Sequence, residues 1–138
     1  MVQKIASLID ETLMAMNAHL HVQMTNEEKA YLDAHFELIQ IKKGEHLMNR
    51  GDEVCYLYYL EAGTIQLSFP DKGKREISAR FIEPKEFINF SLSHEEQLSH
   101  YNVKALEHSK VWRLSKHDLQ QLYDLSINFN KLARLHLE

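Results

Sequence analysis

From Thr64 to Phe69 apolar and polar residues alternate strictly, with Ile65, Leu67 and Phe69 on one side and Thr64, Gln66 and Ser68 on the other. That is the period of a strand with one wet face. The run before it, Val54-Cys55-Tyr56-Leu57-Tyr58-Tyr59-Leu60, is almost wholly apolar and aromatic and suits a strand covered on both faces. Between them Glu61-Ala62-Gly63 offers a tight reversal, because glycine alone enters positive φ without steric cost. The pattern predicts an antiparallel pair over Val54 to Phe69 with one buried face. Such a pair does not stand alone in water, so the flanking sequence must supply further strands.

Before this pair the period is helical. Ile5, Leu8, Ile9, Leu13 and Met16 recur at helical spacing while Asp10 and Glu11 face away. A break through Asn17-Ala18-His19-Leu20-His21 leads to Thr25-Asn26-Glu27-Glu28, a T-x-x-E capping box that starts a second helix. That helix is expected to carry Ala30, Tyr31 and Ala34 towards the core and to end near His35 or Phe36. Residues 1–36 thus read as N-terminal helices.

From Glu37 the texture is that of short strands punctuated by turns. Leu38 to Lys42 precedes the Lys43-Gly44-Glu45 turn, and His46-Leu47-Met48 precedes Asn49-Arg50-Gly51-Asp52. Pro70-Asp71-Lys72-Gly73-Lys74 turns the chain into a strand over Glu76 to Phe81. Ile82 to His100 shows no repeat, and two last strands fall around Tyr101 to Leu106 and Lys110 to Leu114. The expected class is mainly β, an antiparallel, jelly-roll-like β-roll over 37–115 with flanking N-terminal and C-terminal helices. Ser115 can cap a run with Leu119, Leu122 and Tyr123, and Ser126 another with Phe129, Leu132, Ala133 and Leu135. No glycine or proline stops that run by Glu138, so 116–138 is expected to be the start of a longer helical region.

Composition narrows the chemistry. At 138 residues, 44% hydrophobic and 26% charged, the chain has the profile of one ordinary globular domain. It shows no apolar run long enough for a membrane span and no signal-peptide pattern, so a cytoplasmic location without membrane association is expected. The net charge of −4, with basic residues scattered, is not the footprint of a DNA-binding surface. Cys55 is the single cysteine, which excludes an internal disulfide and any cluster held by several thiolates. Its place in an apolar run suggests a small buried hydrophobe. The chain has no G-x-S-x-G elbow, Walker loop or G-x-G-x-x-G, and it is not expected to be an enzyme. Nine histidines invite a metal reading. The H-x-H pair His19 and His21 precedes the roll, and His46 has no second histidine two residues on. A cupin-like metal enzyme is therefore only an outlying alternative, and no metal or cofactor is expected.

The ordered set Lys43-Gly44-Glu45, Gly51-Asp52, Tyr58-Tyr59-Leu60-Glu61-Ala62-Gly63-Thr64-Ile65, Gly73-Lys74 and Ala105-Leu106-Glu107-His108-Ser109 resembles the cyclic-nucleotide-binding domain of the Crp/Fnr transcription regulators, over roughly residues 25 to 138. The resemblance implies an eight-stranded antiparallel β-roll with helices before and after it. It also implies a homodimer through the helix after the roll, and DNA contact only through a domain outside this chain. In that family a cassette between two strands reads Pro-Gly-x-Phe-x-Gly-Glu, followed by an arginine and its hydroxyl neighbour. The glutamate accepts from the ribose and the arginine meets the cyclic phosphate with a charge-assisted fork.

Here the cassette reads Pro84-Lys85-Glu86-Phe87-Ile88-Asn89-Phe90, and Ser99 and His100 stand where the arginine and its neighbour fall. Phe90 cannot accept a hydrogen bond and Ser99 carries no charge. Each lost charge-assisted contact costs about 1.5 to 3 kcal/mol, so both together lower affinity by roughly a hundredfold or more. Standard binding of cAMP or cGMP is not expected. Arg80, of opposite parity to Ala79 and Phe81, points either into the roll to meet an anion or into solvent. His100, or Asn89 and Ser91 near the cassette's turn, offer donors to an anionic ligand, though each is also an ordinary surface or turn residue. The candidate pocket positions are Arg80, Asn89, Phe90, Ser91, Ser99 and His100. The expected function is an effector-sensing domain whose small-molecule effector the sequence does not name. The alternative is a ligand-free scaffold whose pocket is filled by its own side chains, Phe90 first.

Overall fold

The computed structural model describes residues 5–16, 24–89 and 96–126. Two helices, α1 (Ile5–Met16) and α2 (Asn26–His35), precede β1 (Glu37–Ile41), β2 (His46–Met48), β3 (Tyr56–Ala62), β4 (Ile65–Pro70), β5 (Glu76–Ile82), β6 (Phe87–Ile88), β7 (Asn102–Ala105) and β8 (Ser109–Ser115). Helix α3 (Lys116–Leu125) follows. The strands form two four-stranded antiparallel sheets, ordered β1-β8-β3-β6 and β2-β7-β4-β5. This is the mainly β roll with flanking helices that the turn pattern predicts.

The central pair is organised differently from its expected hairpin. β3 pairs with β6 and β8, whereas β4 pairs with β5 and β7. Glu61-Ala62-Gly63 therefore passes the chain from one sheet to the other. Gly63 makes that passage at φ 105°, and a Cβ there would lie 2.7 Å from Ser109 Cα. Only glycine satisfies both the dihedral and the close approach.

The two faces of the β3 sheet explain its apolar run. Leu57, Tyr59, Trp112 and Leu114 share the face covered by the helices, where the Tyr59 hydroxyl lies 2.7 Å from Thr12 Oγ1 of α1. Leu60 and Val111 share the other face, and they meet Ile65, Ala105 and Ile82 of the second sheet in a core where each is at most 1% exposed. Packing on both sides favours a continuous run of apolar and aromatic residues, here the Leu and Tyr of β3.

The caps form as the sequence requires. Thr25 Oγ1 accepts from Glu28 N at 3.1 Å and Thr25 N donates to Glu28 Oε1 at 2.8 Å. Ser115 Oγ accepts from Asp118 N at 3.1 Å. The run that Ser126 would cap lies outside the described residues, as does the His19 and His21 pair.

Four details depart from expectation. The inward face of α2 carries Glu28 and Leu32, with Tyr31 half-buried and Ala30 and Ala34 exposed. Glu28 tolerates burial because its carboxylate accepts from Thr25 N and from the Ser126 hydroxyl. Cys55 is exposed because β3 begins one residue later, and its carbonyl accepts from Lys116 N at the start of α3. Ser68 is buried although it lies on the polar side of β4, beneath contacts with Glu76. The stretch without a repeat contains β6, whose two residues are too few to show a period.

Candidate functional site

The register sets out the inner face of the second sheet in three rows. The deepest is Ile82, Ile65 and Ala105, and all three are buried. The next is Arg80, Leu67 and Val103. Beyond them Phe69 pairs with Ile77, and its ring centroid lies 6.3 Å from that of Tyr101. An irregularity in the register leaves Ala79 as the extra residue of β5 between Leu67 and Ser68, and this keeps Arg80 and Ile77 on the same side. Burial falls along the rows. Val103 is 2% exposed, while Ile77 and Tyr101 at the open end are 39% and 37% exposed.

Arg80 therefore stands on the inner face at the edge of its sheet. Its guanidinium donates to the Glu86 carboxylate, with side-chain exposures of 58% and 34%. Glu86 belongs to the turn between β5 and β6, where its other oxygen accepts from Glu83 N at 2.9 Å. The ion pair thus joins the free edge of the second sheet to the segment that leads into β6.

That segment turns twice through left-handed φ at residues other than glycine. Lys85 and Asn89 stand where the cassette pattern has glycine, and both adopt left-handed φ, 74° and 68°. Lys85 N donates to Leu60 O at 2.8 Å, and Asn89 Nδ2 donates to Tyr56 O at 3.1 Å. Hydrogen bonds of this kind hold a dihedral that costs a residue with a Cβ about 1 to 2 kcal/mol.

The remaining candidates separate. Ser99 is buried, and its hydroxyl donates to Tyr101 O at 2.7 Å and accepts from Tyr101 N at 3.3 Å. Its backbone pairs with Gly51 and Asp52, beyond β2 at the opposite edge of the sheet from β5. Ser99 is thus engaged in its own turn and does not meet Arg80. His100 is exposed. Phe90 and Ser91 lie outside the described residues. Strand parity left Arg80 facing either inward or into solvent, and two neighbours were missed: Glu86, which the path of the turn after β5 brings back to Arg80, and Tyr101, which the pairing of β4 with β7 brings near Phe69.

A second charged group lies on the inner face of the first sheet. Arg113 pairs in register with Tyr58 and with Glu37, whose carboxylate accepts from Arg113 Nε at 2.7 Å. Its Cζ lies 4.5 Å from the Tyr56 ring centroid. Burial pushes the Tyr58 hydroxyl up to about 12, against the opposing influence of Arg113. Two cavities lie on the helix side of the molecule. One of about 290 Å³ is bounded by Glu28, Tyr31, Leu122 and Leu125, and one of about 280 Å³ by Glu11, Thr12, Ala15 and Lys85. Among the described residues no group of three or more His, Cys, Asp or Glu is placed to hold a metal ion. Among them, too, no helix is long and apolar enough to cross a membrane.

A two-sheet roll, helices at both ends and a short cassette-like turn after the fifth strand define a cyclic-nucleotide-sensor type of domain. Residues 38–126 match the family model of the cyclic nucleotide-binding domain, and the chain belongs to that family. Solved structures share the fold at low identity. The N-terminal domain of a transcriptional regulator from Streptomyces coelicolor A3(2) is 22% identical, with 94% of this chain and 86% of that one covered at a TM-score of 0.73. The sensor domain of the transcriptional regulator DNR from Pseudomonas aeruginosa is 16% identical, with 95% and 82% covered at 0.74. The Thermus thermophilus Catabolite Activator Protein is 20% identical, with 91% of this chain and 56% of that one covered at 0.75. No curated protein matches the chain.

Proposed function

We propose that this chain is the effector-sensing domain of a Crp/Fnr-like transcription regulator and that it does not bind cAMP or cGMP in the standard way. The observation that carries this reading is the use made of Ser99. It stands where the family cassette places its arginine, and its hydroxyl is spent within its own turn. The position supplies neither charge nor a free donor. Lys85 and Asn89 take left-handed φ at the two glycine positions of the cassette pattern, while Phe90 and Ser99 stand at its charged positions and supply no charge. The domain acts by binding and not by catalysis, in the cytoplasm, with a small-molecule effector. An effector works by favouring one arrangement of the cassette and the helices after β8 over another. A homodimer through the C-terminal helical region carries that bias to a DNA-binding domain outside this chain.

Thermal unfolding with a panel of nucleotides and metabolites tests the reading. A raised midpoint with at least one compound, and none with cAMP or cGMP at concentrations that saturate ordinary sensors, is expected. Tight, saturable cAMP binding overturns the chemical part, and a flat response to the whole panel overturns the sensor part. Sedimentation velocity checks the assembly, for which a dimer is expected.

A further inference from the structure

We propose that the pouch takes a small amphiphilic anion, an aromatic body bearing one phosphate or carboxylate, with Arg80 as its charge partner and Glu86 as the resident carboxylate that it displaces. The proposal rests on the sensor reading and adds the chemical class of the effector.

Three observations converge. First, Arg80 shares its row with Leu67 and Val103, so its aliphatic stem starts from the inner, apolar face and its head reaches the rim. An arginine so placed can meet an oxyanion with two parallel hydrogen bonds. Second, its present partner is easily exchanged. Both members of the pair are partly solvated, where ion pairs contribute little, and Glu86 keeps its bond from Glu83 N after Arg80 leaves. The carboxylate marks an anion position without being committed to it. Third, the row next to Arg80 is apolar, aromatic and open. Ile77 pairs with Phe69 across β5 and β4, the Tyr101 ring just before β7 lies 6.3 Å from that of Phe69, and Ile77 and Tyr101 are each more than a third exposed. Partly exposed rings beside a cation can receive a flat apolar group with a negative end. A sugar is not required, since Phe90 occupies the sequence position of the ribose acceptor.

The test titrates the 138-residue chain with phenyl phosphate, benzoate, inorganic phosphate and benzyl alcohol, read by calorimetry or by amide chemical shifts. One or both aryl anions should bind saturably at one per chain, and the tighter of the two names the headgroup. Inorganic phosphate and benzyl alcohol, each lacking one half, should bind at least about tenfold more weakly. Arg80→Gln should weaken the aryl anion at least about tenfold, and Glu86→Gln should tighten it by removing the competitor. Tyr101→Ser should weaken the aryl anion while leaving inorganic phosphate unchanged. Circular dichroism of each variant confirms the fold, and the partly solvated positions of Arg80 and Glu86 make misfolding of those two variants a separable outcome. Equal affinity in wild type and Arg80→Gln, equal binding of phosphate alone, or no binding of either aryl anion overturns the proposal. An effector from the wider panel that binds independently of Arg80 removes this inference and leaves the sensor reading standing.

Discussion

At Gly63 two constraints meet, a φ of 105° and a backbone neighbour where a Cβ would go. Gly63→Ala should lose about 2 kcal/mol or more, since strain and overpacking add; urea unfolding would read this as a lower midpoint at unchanged slope. Lys85 and Asn89 supply a finer contrast at the same dihedral. Lys85 is exposed and its side chain gives nothing to the turn, so Lys85→Gly trades a left-handed penalty against added chain entropy and should stay within about 0.5 kcal/mol of wild type. Asn89 holds Tyr56 O through its side chain, and Asn89→Gly should cost about 1 kcal/mol more than the lysine change. The Tyr59 hydroxyl bonds the buried Thr12 of α1. Tyr59→Phe should lose about 0.5 to 1.5 kcal/mol, because Thr12 retains Leu8 O as acceptor.

The elements show why parts of the fold were legible in sequence and others were not. Periods of two and of 3.6 residues are local, so the strands, the capping box at Thr25 and the cap at Ser115 could be read directly. Ser115→Ala should destabilise by about 1 kcal/mol in the same urea assay. Pairing is not local. The polar and apolar sides of β4 were readable, yet nothing within Val54 to Phe69 says that its two halves enter different sheets. Nor does β4 alone reveal that Ser68 is covered by Glu76, which lies across the hairpin. The site divides the same way. Parity left Arg80 facing either inward or into solvent, and its contact with Glu86, like that of Tyr101 with Phe69, needed the third dimension. Packing of β3 on both faces also has an alkaline consequence. Burial raises Tyr58 to about 12 from an ordinary value of 10.0, and burial raises Tyr123 in the same sense to about 12. The folded state then holds protons that the unfolded chain releases, so this stability is complete below pH 10 and is lost as pH rises towards 12. Unfolding free energy measured at intervals across that range should fall, and Tyr58→Phe should flatten the slope.

At the scale of the whole molecule the Arg80 and Glu86 pair ties the β5 edge to the turn that leads into β6, and a buried core lies between the two sheets. The proposed displacement of Glu86 predicts that an effector separates that pair without touching the buried Leu60 or Val111. The order of the strands has a further implication for biosynthesis. β8 lies between β1 and β3, and Arg113 reaches back 76 residues to Glu37. During translation β1 and β3 must wait, edges bare, until the last strand clears the ribosome, because a contact so distant in sequence carries its full loop-closure entropy before any reward. Nascent chains arrested before Ser109 should be protease-sensitive along their whole length, and protection should appear abruptly once β8 and its cap at Ser115 have emerged.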